Sequence, residues 1–162
     1  MENFPEDKLP NEKKSQTEEK DKNDKIDEEN KENYLPNFIQ RYGKEVGLPN
    51  LKLNDNGVCS LCFANNINVD IVYNEKINQC FFASPICLIP NNDREKFYEQ
   101  LLISNNTYNE NGGVNLGIEE EQNRVVLSYT FIADTFSYFK FKNVLKNFVD
   151  IAESNNLKFK DL

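Results

Sequence analysis

Apolar side chains are scarce over the first 33 residues and recur with clear periods from residue 34 onward. In residues 1–33 the apolar positions are Met1, Phe4, Leu9 and Ile26, among 7 Lys and 12 Asp or Glu. Such a stretch cannot bury enough surface to offset an ordering entropy of about 1–2 kcal/mol per residue. It is expected to be a disordered, charged tail. From Tyr34 the text changes. Leu35, Phe38, Ile39, Tyr42 and Val46 recur at helical spacing, Asn33 and Pro36 suit the start of a helix, and Gly47 and Pro49 stop it.

Period-two runs follow. VCSLCF at 58–63 and INVDIVY at 67–73 are joined by Ala64, Asn65 and Asn66, with Asn supplying the tolerance of positive φ that a tight hairpin needs. A third run, about 77–89, is interrupted by Pro85, which marks an edge or a bulge. Asn92 or Asp93 can cap a second helix with apolar positions Phe97, Tyr98, Leu101 and Leu102. After a turn-rich loop, strands at 114–118 and 125–131 flank an acidic turn. Ser137 then caps a third helix whose apolar side is Phe141, Val144, Leu145, Phe148, Val149 and Ala152. The expected fold is α+β in the order α-β-β-β-α-β-β-α, a twisted antiparallel sheet with three helices. It occupies residues 34–156, between the tail of 1–33 and a short C-terminal tail of 157–162.

Charge and composition narrow the function. The chain has 19 Lys and Arg against 27 Asp and Glu, a net charge of −8. Phosphate neutralisation requires the opposite balance, so no nucleic-acid partner is expected. There is no His, which removes the commonest general base and the commonest metal ligand. The first ten residues lack the basic start and apolar core of a secretory signal, and no run approaches the roughly 20 apolar residues of a membrane span. The expectation is a protein kept inside the cell. Cys59 and Cys62 form a C-x-x-C, which suits redox chemistry or half a zinc site. Positions three apart on a strand point to opposite faces, however, and Cys80 and Cys87 supply no second C-x-x-C. Buried structural thiols are expected, with no metal and no cofactor. Neither a Ser-His nor a Cys-His pair is present, so an enzyme is not expected.

Helix 2 ends in Leu101-Leu102 with Asn105 soon after, Gly112-Gly113 leads to Leu116-Gly117, and Val125-Val126-Leu127 follows. Phe148-Val149-Asp150 with Ala152-Glu153 closes the last helix. In this order these pieces resemble the class I type III secretion chaperones, the Tir-chaperone (CesT-like) family, over about residues 34–153. The long charged tail and the absence of Trp depart from the family's usual pattern. The resemblance implies a homodimer in the bacterial cytoplasm, or a heterodimer with a related chaperone. It also implies binding of the unfolded N-terminal segment of a secreted effector without ATP. By resemblance the two-fold interface would take Phe97, Tyr98, Leu101 and Leu116. The effector would dock along helix 1 and the neighbouring strand, on Tyr34, Phe38, Tyr42 and Phe63. The alternatives are an adaptor of the same fold that pairs with a different subunit, and a Cys-dependent redox or zinc protein.

Overall fold

Alternating burial sets the architecture. The computed structural model describes residues 35–106 and 113–160. The tail at 1–33, Tyr34, Gly112 and residues 161–162 lie outside the described residues. Among the described residues, three α-helices, α1 (Leu35–Glu45), α2 (Arg94–Asn105) and α3 (Tyr138–Phe159), accompany five strands. These are β1 (Val58–Cys62), β2 (Asn68–Asn74), β3 (Gln79–Leu88), β4 (Asn115–Glu119) and β5 (Arg124–Ile132). All strand pairs are antiparallel, in the order β1-β2-β3-β5-β4. This is the α+β order that the periodicities predict.

The helices cover one face of the sheet. Val69 and Ile71 of β2, Cys80, Phe82 and Ser84 of β3, and Val125 and Leu127 of β5 are fully buried on that side. Phe82 stands at its centre, with ring centroids 5.2 Å from Phe131, 6.0 Å from Phe141 and 5.6 Å from Phe148. Edge-to-face packing of this kind adds to area burial, and it lays α3 across the middle of the sheet. Phe38 then packs α1 onto α3, 5.8 Å from the Phe141 ring. The opposite face is mixed, with Ser60, Asp70 and Thr130 exposed beside Phe81 and Ile132.

Local chemistry explains the joints. Asn65 and Asn66 adopt φ values of 58° and 59° in the β1–β2 connection, the left-handed conformation that Asn tolerates best among side-chain-bearing residues. Gly57 has φ +73°, and a Cβ there would collide with the Tyr73 carbonyl oxygen, so the start of β1 requires glycine. β2 pairs with β3 only as far as Ala83, and the β3–β5 register shifts between Pro85 and Cys87. Pro85 therefore sits where β3 has lost one neighbour and bulges against the other. Ser137 Oγ accepts from the Lys140 N–H at 3.3 Å and caps α3 as expected. Asp93 holds the N-cap position of α2 but at φ 52°, and its side chain makes no capping bond. The last helix runs to Phe159, past the boundary expected at 156, because Phe159 is buried against Phe97 with ring centroids 5.7 Å apart.

Candidate functional site

The apolar stripe of α1 begins in the core and leaves it at the helix's C-terminal end. Phe38 is 1% exposed, enclosed by Tyr138 and Phe141. Four residues advance a helix by about 400°, so Tyr42 lies roughly 40° further round the axis than Phe38. Tyr42 is half-buried, and Val46, just past the helix, is 46% exposed. These two, with Phe63 and Ala64 at the end of β1, line one side of a cleft of about 410 Å³. Val149 of α3 supplies apolar surface opposite, flanked by Lys142 and Lys146 on one side and Asp150 and Glu153 on the other.

Of the four residues expected to bind a partner, Tyr42 and Phe63 come together here. Phe38 is sealed in the core, because it shares its side of the helix with buried Leu35 and Ile39. Tyr34 lies outside the described residues. The α3 wall was not expected: helical spacing assigns Val149 to the core and singles out none of its charged neighbours. The cleft's rim is cross-braced. Lys142 Nζ donates to Glu45 Oε2 at 2.6 Å and holds that carboxyl below the ordinary carboxylate range. Asn65 Nδ2 donates to Glu153 Oε1 at 2.6 Å. Burial pushes the Tyr42 phenol up.

The edge of β1 leads into this cleft. Tyr73 N–H donates to Gly57 O, and Phe63 N–H donates to Ile67 O, each at 2.8 Å. In an antiparallel pair this turns the odd-numbered main-chain groups of β1 toward β2 and the even-numbered ones outward. Val58 is already satisfied, since its N–H donates to Asn54 Oδ1 at 3.0 Å and its carbonyl accepts from Asn54 N–H at 2.8 Å. Ser60 and Cys62 remain: among the described residues no strand pairs with the donor and acceptor that each presents to this edge.

The residues expected at a two-fold interface divide. Phe97, Leu101 and Leu116 are buried within this chain. Tyr98 is half-buried at the surface, accepting from Arg94 Nη2 at 2.6 Å. The outward apolar residues nearby are Leu102, Ile103 and, on β4, Ile118. Asn105 joins the two elements, because its side chain donates to Leu116 O at 2.8 Å and accepts from Leu116 N–H at 2.7 Å.

The thiols are separated. Cys59 is buried and Cys62 exposed, on opposite faces of β1. Burial pushes Cys80 up to about 12 and also raises Cys59 and Cys87. Among the described residues no three Cys, Asp or Glu side chains converge as metal ligands, and no helix is long and apolar enough to cross a membrane.

Among solved structures the fold is similar to a chain of the ExsC–ExsE complex, at 20% identity and TM-score 0.63, covering 74% of this chain and 88% of that one. It is similar to a chain of the HopA1–SchA chaperone–effector complex, at 14% identity and TM-score 0.61, covering 74% and 90%. A third likeness is to the Yersinia pestis type III secretion chaperone SycH in complex with a fragment of YscM2, at 14% identity and TM-score 0.57, covering 75% and 98%. No curated protein sequence matches the chain. Residues 37–155 match the Tir chaperone protein (CesT) family across helix, sheet and helix alike, and the chain belongs to that family.

Proposed function

We propose that this protein is a chaperone for a type III secreted effector. It binds the effector's N-terminal segment in an unfolded, extended form and keeps it secretion-competent, without ATP and without catalysis. The observation that carries this reading is the junction of an apolar cleft, floored by Tyr42 and Phe63, with the open main-chain edge at Ser60 and Cys62. An extended client can pair its backbone with that edge while seating apolar side chains in the cleft, a recognition mode that gives affinity and register together. The net charge of −8 keeps the complex soluble in the bacterial cytoplasm and away from anionic surfaces.

The working unit is a homodimer. Its two-fold face is the outer side of α2 with the end of β4, centred on Tyr98, Leu102, Ile103 and Ile118. Phe97, Leu101 and Leu116 support that face from within.

The cleft is tested by substitution at two positions one helical turn apart. Tyr42→Ala should weaken the capture of a co-expressed effector segment by about 1–4 kcal/mol while the chain stays folded. Phe38→Ala should instead cost about 3–5 kcal/mol of stability. Calorimetric melting and a binding titration on each variant separate the two. Full binding by a folded Tyr42→Ala protein would remove the cleft from the mechanism.

A further inference from the structure

Charge along the cleft is ordered. On α3 the lining residues Lys142, Lys146, Asp150 and Glu153 follow one another at steps of three or four, so they share one side of the helix. They run from basic to acidic over about 16 Å at 1.5 Å per residue. Lys142 is committed to Glu45, and Glu153 to Asn65. Lys146 and Asp150 lie between them, both exposed, and neither makes an ion pair or hydrogen bond among the described residues. The stability of α3 does not explain this order. At i,i+4, a Lys placed N-terminal to an acid is the weaker arrangement of such a pair. Two unspent charges of opposite sign therefore border an apolar floor, in a chain whose overall charge is strongly negative.

We infer that the cleft selects a dipolar client. The partner is an extended peptide segment whose apolar anchors are flanked by Asp or Glu on one side and by Lys or Arg on the other. The acidic flank lies against Lys146 and the Lys142 end, and the basic flank lies against Asp150 and the Glu153 end. At about 3.3 Å per residue, an extended client spans the charged wall in about five residues. This fixes the direction in which the chain is threaded through the cleft. The inference rests on the cleft being the client site, as proposed above.

Three fluorescein-labelled peptides with the same Leu-x-Leu centre test it. One carries Glu on one flank and Lys on the other, one carries Glu on both, and one carries Lys on both. Fluorescence anisotropy against the full chain, at low salt and at about 0.5 M salt, gives the affinities. The dipolar peptide should bind about threefold to tenfold tighter than either uniform peptide, the size expected of two surface ion pairs. That margin should shrink at high salt, and it should vanish in the double variant Lys146→Gln, Asp150→Asn. In parallel, Val46→Ser and Tyr42→Ala should weaken all three peptides. Equal affinities for the three peptides, with that uniform weakening intact, would overturn the charge selection and leave the cleft standing. No binding up to millimolar peptide, or binding indifferent to Val46→Ser and Tyr42→Ala, would overturn the cleft itself and the charge selection with it.

Discussion

At the scale of single residues, polar side chains hold the joints and two of the four thiols, Cys59 and Cys80, sit in the core. Asn105 substitutes for a strand neighbour, bonding both main-chain groups of Leu116 and so fixing α2 against β4. The Asn that follows the Leu-Leu pair is therefore a clamp, which sequence order alone could not reveal because the two partners lie eleven residues apart. The cysteines show the opposite case. Their separation followed from strand geometry, and the structure confirms it with Cys59 buried and Cys62 exposed. The native chain should therefore react with a thiol reagent fastest at exposed Cys62 and more slowly at half-buried Cys87, with buried Cys59 and Cys80 becoming available on denaturation. Cys62→Ser should remove the fast phase of the native reaction, and rapid labelling of Cys59 or Cys80 would contradict the burial. The same burial has a sign in pH. Cys80 holds its proton to about 12 when folded but releases it near 9 when unfolded. The unfolded chain thus binds fewer protons across that window, and stability should fall as pH rises from 9 toward 12.

At the scale of elements, burial was legible where one side of a helix or strand is apolar, and illegible where both are. β2 alternates cleanly, and the apolar residues of α3 fall mainly on one side, with Phe139 and Leu157 exposed off it, so their placement follows largely from period. α2 is different: Phe97 and Leu101 face the core, while Tyr98, Leu102 and Ile103 face outward. Period cannot choose between two apolar sides, and it was the resemblance, not the spacing, that pointed to Leu101 as an interface residue. A helix apolar on both sides is expected to be covered on both. Leu101, 5% exposed, and Leu102, 69% exposed, should therefore respond differently. Leu101→Ala should cost about 2–5 kcal/mol of stability. Leu102→Glu should change the stability of the single chain by less than about 0.5 kcal/mol, yet convert dimers to monomers in light scattering, because an isologous face sets the new charge against its own copy. A Leu102→Glu protein that stays dimeric would place the two-fold axis elsewhere. The cleft was half legible for the same reason. Tyr42 and Phe63 were expected as docking residues on helix 1 and the neighbouring strand, but the α3 wall is built from charged residues that look like ordinary solvated surface.

At the scale of the whole domain, residues 35–160 build a one-sided sheet. Among the described residues the helices cover one face, and the edge of β1 is open beside an apolar cleft. That asymmetry is what an extended client requires: hydrogen-bonding partners along one line and a pocket at its end. The amide protons of Ser60 and Cys62 point to this edge, so they report directly on whether a client strand adds there. Hydrogen–deuterium exchange of the full chain, alone and saturated with an effector segment that co-purifies with it, reads those amides individually. The account predicts strong new protection at Ser60 and Cys62, together with the end of α1 around Tyr42, and little change at Thr130 on the uncovered sheet face. Unchanged exchange at Ser60 and Cys62 in a saturated complex would contradict it.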